Sequence, residues 1–201
     1  MMRPLVDHYI DAVAYGSIAR GDISEGSDID IFIPQPPAPA LIEASLERSG
    51  IHETMREIVQ ATPSYAAKGH IYVGERRSYS LPLVNLRTVE LEFYGFAGSV
   101  NASQIDSGIR VPGVDKRLML IEPTPSGHVE SPIQGREGVV AKMLGISVGV
   151  VLDRVRTLRR REKIGRTGVF LKRVLAPEES FGEVFKQLSK RRPAIRRRLR
   201  M

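Results

Sequence analysis

Cysteine is absent from the 201-residue chain. That excludes a disulfide framework, thiol catalysis and cysteine-ligated zinc or iron–sulfur sites, and it fits a reducing compartment. The four histidines, His8, His52, His70 and His128, are scattered with no short metal-ligand spacing, which argues against a histidine-built zinc site. The opening Met-Met-Arg-Pro-Leu-Val-Asp-His lacks the apolar core of a secretory signal. The most apolar later stretch, Gly138 to Leu152, contains Lys142 and is too short to span a bilayer. We therefore expect a soluble, cytoplasmic protein. Internal repeats are absent too. What is present is 42% apolar residues, enough to exclude disorder across the whole chain, in a length that suits one large domain or a modest domain plus a small one.

Charge is distributed unevenly. Residues 1–153 carry 13 Lys/Arg against 19 Asp/Glu, a net −6, whereas residues 154–201 carry 17 against 4, a net +13. An acidic body with a basic C-terminal part points to a polyanionic partner, nucleic acid ahead of a merely solubilising tail.

Apolar Ala12-Val13-Ala14-Tyr15 reads as a short buried strand running into Gly16-Ser17. Asp28 to Ile33 alternates with period two, as a strand with one buried face does. Four prolines between Pro34 and Pro39 end it. Leu41 to Gln60 has helix-compatible spacing broken at Ser49-Gly50, and strand-like runs follow at His70–Val73, Tyr79–Val84 and Val89–Tyr94. This order predicts an α+β fold, a mixed sheet with helices on one face. Arg117–Ile121 and His128–Ile133 read as a hairpin, helical patterning returns at Gly138–Leu144 and Ser147–Arg160, and Pro177 opens a last amphipathic helix before the basic run.

The segment from Gly16 to Asp30 carries the most chemistry. A strand that ends in Gly-Ser turns sharply and offers backbone N–H groups and a hydroxyl to an anion. Asp28 and Asp30, at i and i+2 on a strand, project their carboxylates from the same face. Such carboxylates repel unless a cation joins them, and hard oxygen donors without His or Cys suit Mg²⁺ or Mn²⁺. Arg20 is a candidate phosphate contact, while His70 and Tyr72 read as sheet residues rather than catalytic ones.

Gly-Ser, ten residues, then Asp-x-Asp within an apolar strand resembles the signature of the DNA polymerase β-like nucleotidyltransferase superfamily in its minimal form. The likeness extends to Ala19-Arg20-Gly21 and Ser27-Asp28; it covers residues 12–33 closely and the first half of the chain loosely. It implies transfer of a nucleoside monophosphate from an NTP such as ATP to a hydroxyl, with Gly16 and Ser17 on the triphosphate and Asp28 and Asp30 on the metals. The family usually adds a third carboxylate from a neighbouring strand. Glu92 is the first choice for it and Glu90 the second, both on one face of the run Val89–Tyr94. The third acid is more often aspartate, and the alternative is two solvated glutamates on an exposed sheet face.

Ala141, Gly145 and Ser147 suit a close helix crossing, a tight turn and a helix N-cap, and Val151, Val155 and Leu158 line one helical face. This resembles a helix-turn-helix with Ser147–Arg160 as recognition helix, and Lys163–Phe170 resembles the hairpin of a winged variant. Arg154, Arg156, Arg159, Arg160, Arg161, Lys163 and Arg166 are the candidate phosphate-neutralising residues. Arg196, Arg197, Arg198 and Arg200 either add backbone contacts or form a disordered tail. The expected partition is a nucleotidyltransferase-like domain at 1–125, a winged helix-turn-helix at 126–175, and an amphipathic helix with a basic tail at 176–201. The expected function is a metal-dependent nucleotidyltransferase with a nucleic-acid-binding module. The alternatives are a non-catalytic DNA-binding regulator that senses nucleotide, and an enzyme modifying a hydroxyl of a partner protein. A homodimer is compatible with each.

Overall fold

The computed structural model describes residues 1–165 and 168–199. In chain order, α1 (Arg3–Val6), β1 (Val13–Tyr15), α2 (Ser17–Arg20) and β2 (Ile29–Phe32) are followed by α3 (Pro39–Arg48) and the strands β3 (Met55–Gln60), β4 (Lys68–Tyr72) and β5 (Arg77–Pro82). Next come α4 (Thr88–Ala97), β6 (Ser99–Val100), α5 (Ala102–Asp106), β7 (Gly113–Val114), β8 (Met119–Thr124) and β9 (Gly127–Pro132). The chain continues through α6 (Glu137–Leu144), α7 (Val148–Ile164), β10 (Leu171–Val174), α8 (Phe181–Arg191) and α9 (Pro193–Leu199). The fold is α+β. No helix among the described residues is long and apolar enough to cross a membrane.

Two units divide the chain, and neither is continuous in sequence. The first comprises Met1–Ala12, Asp30–Leu86 and Gly168–Met201; the second comprises Val13–Ile29 and Arg87–Thr167. β10, which follows α7 in sequence, belongs to the first unit and pairs antiparallel with β3.

In the first unit the strands lie in the order β10-β3-β4-β5-β2. Met55–Gln60 is a strand, not the continuation of a helix. Gly50 turns the chain at φ 70°, and the residues beyond pair antiparallel with β4 on one edge and β10 on the other. Residues Met55, Ile58 and Val59 mimic a helical stripe, but a strand between two partners hides both its faces: Arg56, Glu57 and Ile58 are all buried. One sheet face is mostly apolar, with Ile58, Ile71, Tyr79 and Leu81 fully buried beside Arg56 and Gln60. Phe181 of α8 covers it at Gly69, where an added Cβ would stand 2.9 Å from the Phe181 ring. Among the described residues the C-terminal basic run is helical rather than a tail. It continues into α9, where Ile195 is buried and Arg198 donates to the Asn85 carbonyl at 3.0 Å.

The second unit packs α4, α6 and α7 against the hairpin β8–β9, around Phe96, Leu120, Ile133, Val140, Val151 and Val155. Gly145 adopts φ 64° between α6 and α7 and ends the first of these helices in a left-handed cap. No hairpin follows α7 among the described residues. The helix runs on to Ile164 and Leu171–Val174 pairs with β3, while the expected wing at 163–170 lies partly outside the described residues. Arg166 and Arg200 lie outside the described residues.

Candidate functional site

Gly16 stands at φ 81°, ψ −142°, a conformation that disfavours any residue with a Cβ, and nothing lies within 4 Å of the position a Cβ would take. Backbone geometry, not crowding, therefore selects glycine. Its N–H donates to the Gly98 carbonyl at 2.9 Å, its carbonyl accepts from Ala19 and Arg20, and α2 begins at Ser17. These contacts all belong to the second unit.

Arg20 is not presented to a ligand. Only 5% exposed, its guanidinium donates to the Ala97 carbonyl at 2.7 Å and to the Asp22 carboxylate at 2.9 Å. The side chain clamps α2 to the end of α4, and that clamp corrects the expectation of a phosphate contact.

Asp28 is exposed in the loop just before β2, and Asp30 is half-buried on the strand. Within the first unit, Asp30 Oδ1 accepts from the Ser78 hydroxyl at 2.6 Å. The register carries this face onward. Tyr72 is opposite Ser78, and His70 lies opposite Ser80 on one side and Glu57 on the other. The Tyr72 hydroxyl donates to Glu57 Oε1 at 2.9 Å, and Lys172 Nζ lies 3.0 Å from Glu57 Oε2. Burial, reinforced by the bond to Glu57 and by the Glu57 and Asp30 charges, raises the Tyr72 phenol well above its ordinary range. Burial, with help from Lys68, lowers His70 to about 4.

Glu90 and Glu92 are not strand neighbours. Residues Thr88–Ala97 form α4, and positions two apart on a helix diverge by about 200° around its axis. Glu90, 2% exposed, closes a capping box: it accepts from the Arg87 N–H at 2.8 Å and from Arg87 Nε at 3.1 Å. Glu92 accepts from the Ser147 N–H at 3.2 Å and from the Ser147 hydroxyl, fixing the start of α7. The structure does not bring them together as a third acid pair. A group of three or more His, Cys, Asp or Glu able to hold a metal is absent among the described residues.

On α7, Val150, Val151 and Val155 face the core. Arg156, Arg159, Arg160, Arg161 and Lys163 are exposed, whereas Arg154 is half-buried with its guanidinium 5.0 Å from the Phe93 ring centroid.

Residues 5–78 match the family model of the nucleotidyltransferase domain. The match runs from α1 to Ser78 and contains Gly16, Ser17, Asp28 and Asp30. Neither a curated protein nor a solved structure matches the chain. Within the matched residues, sequence reasoning missed Ser78 as the partner of Asp30 and the row His70, Tyr72 and Glu57. The available signal was the alternation along β4, where Lys68, His70 and Tyr72 are polar and Gly69, Ile71 and Val73 are not.

Proposed function

We propose that this chain is a metal-dependent nucleotidyltransferase that moves a nucleoside monophosphate from an NTP to a hydroxyl acceptor. The observation that carries the reading is the segment Gly16–Asp30 inside the matched residues: a glycine at positive φ opens a short helix at Ser17, and two aspartates stand at alternate positions entering β2. In this reading the Gly16 backbone and the Ser17 hydroxyl orient the triphosphate. Asp28 and Asp30 offer only oxygen donors, a set that fits Mg²⁺ or Mn²⁺, and Ser78 fixes the rotamer of Asp30. The bound ion supplies charge neutralisation on the transferring phosphoryl group. The acceptor oxygen attacks the α-phosphorus in line while the bond to pyrophosphate breaks, so the chain's own contribution is positioning. The α6–α7 pair, with its exposed arginines, is proposed as a helix-turn-helix surface for nucleic acid.

A second reading, a nucleotide-sensing regulator without catalysis, is favoured by one observation. Glu90 and Glu92 are both hydrogen-bonded at helix ends, which speaks against either as the third acid. Incubation with labelled NTPs, Mg²⁺ and nucleic-acid or protein acceptors separates the two. Transfer of label to an acceptor supports the enzyme; NTP binding with no transfer and no pyrophosphate favours the sensor.

A further inference from the structure

Beyond Ser78, which bonds Asp30, the polar row on this face is not used by the proposed metal chemistry. The opposite face of this sheet is mostly apolar, with Ile58, Ile71 and Leu81 fully buried beside Arg56 and Gln60. On the Asp30 face the cross-strand neighbours are instead Ser78, Tyr72, His70 and Glu57.

Within that row the His70 and Tyr72 rings stand 6.2 Å apart and only 21° from parallel, and both are half-buried, so each leaves part of its surface to solvent. The pair is held from below. Tyr72 is pinned through its hydroxyl to Glu57, which is 2% exposed and balanced by Lys172. Both partners offset the cost of burying the Glu57 carboxylate. Depression of its pKa to about 4 keeps the His70 ring uncharged at neutral pH. That makes it a weak base, and leaves it a neutral π surface.

We propose that the His70–Tyr72 pair is the stacking platform for the nucleobase of the bound NTP, an assignment that rests on the reading of Asp30 as a metal ligand. Tyr72 and Asp30 are two strands apart, on β4 and β2 with β5 between them. Two inter-strand spacings amount to about 10 Å, the scale of a nucleoside from its phosphate to its base. Aromatic stacking tolerates any base, because each has a π face, so the platform positions the nucleoside without selecting it.

The test is calorimetric titration of the full chain with two probes: each Mg²⁺·NTP, and Mg²⁺·tripolyphosphate, which lacks a base. His70→Ala is expected to weaken the NTPs about tenfold, within the range lost when a stacked base loses its aromatic partner, with tripolyphosphate unchanged. His70→Phe restores NTP affinity, and Tyr72→Phe retains it. Unchanged NTP affinity in His70→Ala, or an equal loss for both probes, overturns the platform. Wild-type binding of tripolyphosphate as tight as that of the NTPs overturns it while leaving the Asp30 reading intact. Binding of neither probe overturns both. If the base instead belongs to the acceptor, NTP binding stays unchanged in His70→Ala while the KM for an oligonucleotide acceptor rises, and that outcome also counts against the assignment.

Discussion

Glu92 on α4 accepts from both the N–H and the hydroxyl of Ser147, the residue that precedes α7. The bond ties two helices of one unit at the point where α7 begins, and gives a sequence-candidate acid a structural task. Glu92→Ala is expected to cost about 1–2 kcal/mol, the scale of a lost helix cap or charged hydrogen bond, with NTP affinity unchanged. Urea unfolding followed alongside nucleotide titration checks it.

Gly16→Ala isolates backbone strain. Space around the position is open, so the penalty comes from φ 81° alone. Holding alanine there costs about 1–3 kcal/mol. Either the unfolding free energy falls by that amount, or the turn relaxes and triphosphate binding weakens. Gly108→Ala, also at positive φ in open space but outside the motif, is the control and is expected to lower stability without touching nucleotide binding.

His70 makes stability depend on pH. Its folded-state pKa, about 4, lies below the ordinary 6.5. Between those values the unfolded chain binds a proton that the folded chain does not, so stability rises with pH through the window and falls as pH drops from 6.5 towards 4. Lys68 and Lys172 reinforce the effect and Glu57 opposes it. His70→Phe is expected to flatten this part of the profile, measured by chemical unfolding at a series of pH values.

Nucleic-acid binding through α7 has a quantitative signature. Arg159, Arg160 and Arg161 are all exposed, so replacing them with glutamine leaves the fold in place. If each neutralises a phosphate of duplex DNA, the slope of log K against log salt falls in magnitude by about 2.7. A salt titration with duplex reads this directly. An unchanged slope removes α7 from the interface.

Local signals served well wherever secondary structure follows from neighbours. The period-two run at 28–33 is a strand, and the helix pair around Gly145 is present. They failed where tertiary partners decide. Glu90 alternates with Val89 and Leu91 like a strand residue, but the helix is set by the capping box at Arg87 and by the burial of Tyr94, Phe96 and Ala97. A box with arginine at the N-cap carries none of the usual Ser, Thr or Asp signal. Arg20 reads as a candidate phosphate contact because its acceptor, the Ala97 carbonyl, is 77 residues away. The same holds for Ser78 and Asp30, 48 residues apart. The motif itself was legible because its residues are contiguous; its surroundings were assembled from distant strands.

The central claim is that Asp28 and Asp30 hold a divalent ion for nucleotidyl transfer. Pyrophosphate release from Mg²⁺·NTP in the presence of acceptor, compared between wild type and Asp28→Asn at matched circular dichroism, tests it most directly. The account predicts release by the wild type and at least a hundredfold loss in the variant, about 2.7 kcal/mol of transition-state stabilisation. Equal rates in the two proteins would contradict it.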